Sequence, residues 1–237
     1  MSIKRLLLRI FNTILDKLPP EQTLRLLFRL DRWLYYVQGK LAAAYGEGVH
    51  TKHRHMNYHR FFVQRIAQGE RVLDVGSNHG AVSYDIAEQA GASVVGMEIN
   101  PVLVAEARQR HPHPKVEYRV GDVLTDQIDE HFDVIILSNV LEHLPQRPQL
   151  LRRLQEETHP ARFLIRVPLF ERDWRVPLKQ ELGVEWRLDP THEIEYTLES
   201  FAEEMAAAQL QLLHQEIRWG EIWAELAPQA DAQPGQP

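Results

Sequence analysis

The chain has no cysteine in its 237 residues, which excludes disulfides and thiolate metal ligands together and fits a reducing compartment such as the cytoplasm. It also lacks any stretch near the ~18 uninterrupted apolar residues that a membrane-spanning helix needs. The early run LLLRIF is broken by Arg9 and Asn12 and has no small-residue cleavage site after it, so neither a secreted nor a spanning protein is expected. An excess of positive charge is missing too. The formal net charge of -6 argues against a chain whose main task is to grip a phosphate backbone, and nucleic acid is not an expected partner. What remains, at 44% hydrophobic and 25% charged, is an ordinary globular composition with room for one sizeable core and a modest appendage. Its charge is unevenly spread. Residues 1–60 hold eleven Lys/Arg against four Asp/Glu, a balance of +7, so residues 61–237 carry -13 and the two parts face different partners.

Residues 3–18 place Leu7, Ile10, Ile14 and Leu18 at helical spacing and end at Pro19-Pro20, which predicts a short amphipathic helix. A second helix is predicted from about Glu21 to Tyr45, with Leu24, Leu27, Phe28, Leu34 and Leu41 as an apolar stripe and Arg25, Arg29 and Arg32 as a basic one. Two readings of residues 1–45 stand: helices packed on the main domain with a solvated outer face, or a contact with an anionic membrane surface or acidic partner. HTKHRHMNYHRFF leads into a third predicted helix ending near Gly69. Beyond Arg71 the pattern alternates: strand RVLDVG, helix AVSYDIAEQA, strand SVVGMEI, helix PVLVAEARQR, strands KVEYRV and FDVIILS, a helix around Gln149–Glu157, and strand FLIRVPL. That alternation implies an α/β fold with a parallel sheet covered on both faces. Residues 169–195 read as an irregular insertion, a lid or binding loop. A helix from Leu198 to Gln209 and a hairpin of LQLLHQEIRW and EIWAELA through Gly220 close the domain, and residues 228–237 predict a disordered tail.

In such a sheet, ligands settle beyond the carboxyl ends of the strands where the strand order reverses. The first strand and turn, VLDVGSNHG, offer Asp74 near the strand end, Gly76 to start a tight turn, and Gly80 where the helix passes close to backbone or ligand. Eighteen residues on, at the end of the second strand, Glu98 can accept hydrogen bonds from both hydroxyls of a ribose, which points to an adenosine-containing ligand. The dinucleotide fingerprint G-x-G-x-x-G is absent, so no diphosphate is cradled, and a nicotinamide enzyme fails on that spacing.

VLDVGSNHG, GMEIN, GDVLTD and FDVIILSNVLEHLP, in this order, resemble the successive motifs of class I S-adenosylmethionine (SAM)-dependent methyltransferases over roughly residues 57–225. The resemblance implies a Rossmann-like, seven-stranded, mostly parallel sheet with a C-terminal β-hairpin in a domain of residues 57–227, behind an N-terminal helical segment and flap of residues 1–56. It implies that Asp74 and the turn Gly76, Ser77, Asn78 and Gly80 hold the methionine end of SAM. Glu98 with Ile99 would bind the ribose, Asp122 with Val123 would receive the adenine, and Asn139 would border the cofactor. The family's middle glycine is Asn78 here, and Asn tolerates the left-handed backbone that the turn requires.

Methyl transfer is an in-line displacement, so the protein must chiefly align the acceptor and accept its proton. His143, just past the fourth strand, is a candidate base, and Glu142 and His192 are the other groups placed to share the task; shaping of the pocket is the alternative role for Glu142 and His143. E-H at 142–143 with H-E-x-E-Y-T is also similar to small-RNA 2′-O-methyltransferases that hold a magnesium ion, but Asn139 stands where the first glutamate would be. A metal at Glu142, His143 and His192 is therefore weighed and not expected, nor is zinc at His50, His53, His55 and His59, although His55 and His59 would share a helix face. That stretch resembles what precedes the first motif in bacterial surface-glycan methyltransferases, which implies a sugar hydroxyl or other small-molecule acceptor. The rival is a SAM-binding partner similar to the methionine-biosynthesis protein W family, against which stand His143 and an aromatic insertion holding Trp174 and Trp186.

Overall fold

A computed structural model describes residues 12, 13, 15, 17–47 and 50–229. Most of the helix predicted over residues 3–18, and the tail from residue 230, lie outside the described residues. The helices are α1 (Pro20–Tyr45), α2 (Thr51–Met56), α3 (His59–Val63), α4 (Ala81–Ala90), α5 (Pro101–Arg110), α6 (Arg147–Thr158), α7 (Arg175–Glu181) and α8 (Leu198–Ala207). The strands are β1 (Arg71–Val75), β2 (Ser93–Glu98), β3 (Val116–Val120), β4 (Val134–Ser138), β5 (Arg162–Pro168), β6 (Leu210–Arg218) and β7 (Glu221–Pro228). Contacts divide the chain into two units: the residues up to Met56 with Asp173–Pro190, and Asn57–Arg172 with the residues from Thr191 onward.

The larger unit is a seven-stranded sheet in the order β3-β2-β1-β4-β5-β7-β6. The pairs β1–β2, β1–β4, β2–β3 and β4–β5 are parallel, and β7 runs antiparallel to both β5 and β6. β1, β4 and β5 are buried almost end to end, as the largely apolar runs VLDV, VIIL and FLIRVP, interrupted only by Asp74 and Arg166, suit in strands covered on both faces. Leu73, Ile135, Leu137, Phe163, Ile165 and Phe201 belong to the main core. Local chemistry sets the boundaries. Asn100 accepts the Val102 N–H at 3.0 Å ahead of Pro101, and Thr197 and Ser200 form a capping box at the start of α8. Trp219 and Gly220, both at positive φ (55° and 75°), turn the β6–β7 hairpin with the backbone twist that two-residue loops favour.

In the smaller unit, α1 packs through Phe28, flanked by Leu24, onto Leu178, Leu182 and Val184. Lys179 lies 3.2 Å from Asp31 and over the Phe28 ring. Of the predicted apolar stripe on α1 only Phe28 is buried, while Leu34 and Leu41 are exposed. No helix among the described residues is long and apolar enough to cross a membrane.

Three boundaries differ from the sequence reading. The predicted third helix is two short ones, because Asn57 takes a left-handed φ of 48° between α2 and α3. His55 and His59 therefore share no helix face, and His59 instead meets Asp85 at 2.5 Å. The irregular insertion contains α7, which Pro177 had masked; in its third position proline still lacks an intrahelical partner to displace. Finally, Pro228 ends strand β7 rather than opening a tail, and the Gln229 N–H bonds the Gln209 carbonyl at 2.9 Å.

Candidate active site

β1 lies between β2 and β4, so the chain's two directions of winding part at its carboxyl end, where α/β sheets open a crevice. The turn there runs through Gly76, Asn78 and Gly80 at φ of 69°, 51° and 79°. Asn78 thus adopts the left-handed conformation that asparagine tolerates. The N–H groups of Gly76 and Ser77 both bond the Met97 carbonyl, at 2.8 and 3.0 Å, tying the turn to the end of β2. A Cβ on Gly76 would stand 2.6 Å from Val140, and one on Gly80 would stand 2.5 Å from the Tyr118 ring, so both positions need glycine for space as well as for φ.

Glu98 is buried, and its two carboxylate oxygens accept the N–H groups of Asn78 (3.1 Å) and Asn100 (3.0 Å). The carboxylate is therefore held in one orientation before any ligand arrives. Asp74 accepts the Ser83 hydroxyl at 2.6 Å, and burial raises its pKa to about 6. Buried Ser77 has no partner for its hydroxyl oxygen. Asp122 accepts the Leu124 N–H at 2.9 Å at the end of β3, the Val123 side chain is part of the main core, and Ile99 is exposed.

Beyond β4, Asn139 takes a positive φ of 56° and starts the turn that carries Glu142 and His143. Glu142 is fully buried; its Oε1 accepts the Asn139 amide at 2.8 Å, and its Oε2 has no partner. Burial raises its pKa to about 7. Across from it, the N–H of Glu193 bonds the Glu142 carbonyl at 2.8 Å and brings in the irregular segment of residues 191–196. The His143 and His192 rings meet edge to face at 4.6 Å. His143 Nδ1 lies 2.9 Å from the Thr191 hydroxyl, and His192 Nδ1 lies 3.0 Å from Glu195 Oε1. Glu142, His143 and His192 each offer a ligand-capable or proton-accepting atom within 4.8 Å of the others.

A buried carboxyl that is neutral in the fold but ionised in the unfolded chain gives a signed prediction. Between the ordinary glutamate value of 4.5 and about 7 the folded state binds more protons at Glu142, so stability falls as pH rises through that window. The loss is on the order of 3 kcal/mol at about 1.4 kcal/mol per pH unit. Denaturant unfolding at pH 5 and pH 8 should show Glu142→Gln losing less stability than the parent over that interval; equal losses would contradict the burial argument.

The structure brings Asp74, the glycine turn and Glu98 together at the carboxyl ends of β1 and β2, and Glu142, His143 and His192 together beyond β4. Val140 against Gly76 joins the two. Trp174 is exposed, and it belongs with Trp186 to the smaller unit. The supporting roles of Arg166 and Glu195 and of their partners escape the sequence reading. Arg166, on β5, donates to Asn139 Oδ1 from Nε at 2.7 Å, lies over the Tyr58 ring at 3.7 Å and sits 3.3 Å from Glu221. Glu195, fully buried, pairs with Arg172 as well as with His192. For Arg166 the only signal is an arginine inside an apolar strand; for Glu195 it is a carboxylate three residues after a histidine.

Residues 49–215 match the family described as "Methyltransferase domain". A ubiquinone biosynthesis O-methyltransferase of Pseudomonas fluorescens (strain SBW25) is 36% identical over 88 residues, which is 35% of this chain and 38% of that protein. Its counterpart in Pseudomonas entomophila (strain L48) is 34% identical over 97 residues, 39% of this chain and 41% of that protein. The chain thus spans about two fifths of the length of these relatives. Among solved structures, a TehB-like SAM-dependent methyltransferase from Corynebacterium glutamicum superposes with a TM-score of 0.56 at 20% identity, covering 83% of this chain and 97% of that one. Magnesium protoporphyrin IX methyltransferase from Synechocystis PCC 6803, solved with bound SAH, gives 0.60 at 16% identity, covering 73% and 83%. These two share the fold.

Proposed function

The chain belongs to the methyltransferase-domain family, and from that premise we propose that it uses SAM to methylate a hydroxyl oxygen of a small-molecule acceptor. The pocket suits SAM on its own terms: a glycine turn with no room for side chains, a carboxylate pre-set at the end of β2, and the unpartnered Ser77 hydroxyl beside it. In this reading the methyltransferase domain is residues 57–227. Asp74, Gly76, Ser77, Asn78 and Gly80 hold the methionine end, Glu98 and Ile99 the ribose, and Asp122 and Val123 the adenine, the last through its backbone because its side chain is core. Asn139 borders the site and holds Glu142.

SAM supplies a methyl group on a sulfonium, an excellent leaving group, so the chain has to orient the acceptor and take its proton. The observation that carries the proposal is the gathering of Glu142, His143 and His192 within 4.8 Å at the carboxyl end of β4, one strand from the glycine turn. A hydroxyl must lose its proton as its oxygen attacks, and imidazoles backed by a buried carboxyl provide acceptors near neutral pH. Glu195, anchored by Arg172, accepts the His192 Nδ1–H and so presents the Nε2 lone pair as the basic one. Asn139 fixes Glu142 in turn.

A sugar hydroxyl is the acceptor indicated by the sequence around K-H-R and N-Y-H-R-F-F. A phenolic hydroxyl is the second reading, favoured by the ubiquinone O-methyltransferases among the relatives. Incubation with labelled SAM and a fractionated cell extract, beside panels of free and nucleotide-linked sugars and of catechols, tests both. Label in an alkali-stable ether product is the expected result; label in no fraction, or only in protein or RNA, overturns the proposal.

A further inference from the structure

A helix on a globular surface carries one apolar stripe, the one it buries. α1 carries two. Its packed side is fixed by Leu24 and Phe28 against Leu178, Leu182 and Val184. On the other side Leu26, Leu30, Trp33, Leu34 and Leu41 fall within about 100° of arc at helical periodicity, and they are exposed at 57%, 46%, 58%, 42% and 62%. Arg25, Arg29, Arg32 and Lys40 line one flank of this second stripe. Of the helix's two acidic residues, Asp31 is engaged away from this face by Lys179 and Arg175, and Glu21 pairs with Arg25 at the start of the helix, which leaves Arg29, Arg32 and Lys40 as the cations of the flank. The stripe therefore faces solvent with a basic border.

We propose that this face of α1 docks on an anionic lipid surface, with Leu26, Leu30, Trp33, Leu34 and Leu41 entering the headgroup and acyl boundary while the flanking arginines and Lys40 meet lipid phosphates. The chemistry matches both halves of the face. Leucines with a tryptophan suit the apolar–polar boundary of a bilayer, and the cationic flank complements anionic headgroups. An acidic protein surface without an apolar groove would answer the charge alone and leave the exposed leucines in water. The inference is independent of which acceptor the methyl group reaches, and it gives the basic N-terminal portion a partner distinct from that of the acidic remainder.

Vesicle co-sedimentation of the full chain tests it, with phosphatidylglycerol–phosphatidylcholine vesicles beside pure phosphatidylcholine. Binding to the anionic vesicles is expected to exceed binding to the neutral ones at least tenfold, and to fall at least tenfold in 0.5 M salt. The double variant L30E/W33E and the charge variant R29E/K40E should each lose about tenfold or more. Calorimetric SAM affinity within a factor of about two of the parent would show that the larger unit is still folded. No sedimentation with anionic vesicles, equal binding to neutral ones, or binding indifferent to both variants overturns the proposal. So does a dimer in light scattering that L30E/W33E abolishes, because a second copy would then occupy the face.

Discussion

Replacing Glu98 by alanine is expected to weaken SAM binding by about two to three orders of magnitude. Each hydrogen bond from a ribose hydroxyl to a buried carboxylate contributes on the order of 1.5–3 kcal/mol, and Glu98 is placed to accept two. The same carboxylate also holds the N–H groups of Asn78 and Asn100, so the alanine variant leaves two backbone donors of the turn without their partner. Glu98→Gln separates the two contributions, since an amide oxygen can still accept a backbone N–H while one of the two carboxylate acceptors becomes a donor. Calorimetry on purified, folded variants reads the result. The expected order of affinity is parent, then Gln, then Ala, and an alanine variant that binds as tightly as the parent would remove Glu98 from the ribose site.

The second large effect is expected on turnover. With an acceptor in hand, His143→Ala and His192→Ala should each lower the rate, the true base by about 10²–10⁴-fold, the range a positioned acid–base group contributes. SAM affinity should change little in either variant, because neither ring belongs to the glycine turn or to the end of β2. Geometry separates the two histidines. His192 is buried and braced by Glu195, which Arg172 anchors, whereas His143 is partly exposed and its Nδ1 lies 2.9 Å from the Thr191 hydroxyl. The larger loss is therefore expected at His192. Equal and small losses in both variants would mean that the cluster shapes the pocket without taking the proton.

Much of the fold could be read from residue patterns because its determinants are local. VLDVG, apolar but for Asp74, and VIILS are runs of strand length, PVLVAEARQR opens on a proline after an asparagine cap, and Trp219-Gly220 marks a hairpin, so each segment declares its own state. The gathering of candidate residues was legible where spacing along the chain fixes position in space, as with Asp74, the glycine turn and Glu98. Partnerships between distant residues were not. Arg166 reaches Asn139 across 27 residues, and Arg172 reaches Glu195 across 23, each through a sheet register or loop return that no periodicity records. The histidine-rich stretch misled for a local reason: Asn57, a residue that readily takes left-handed φ, ends one helix before His59 begins the next. α1 misled differently, since its apolar residues form two stripes and a list of leucines does not say which one packs.

All of this rests on the proposal that a pocket at the carboxyl ends of β1 and β2 holds an adenosine joined to methionine. Titration calorimetry of the pure, folded chain with SAM and, separately, with its demethylated product is the most direct measurement. One-to-one binding of both, lost together in Glu98→Ala, is the predicted result; a folded chain that takes up neither would contradict the account.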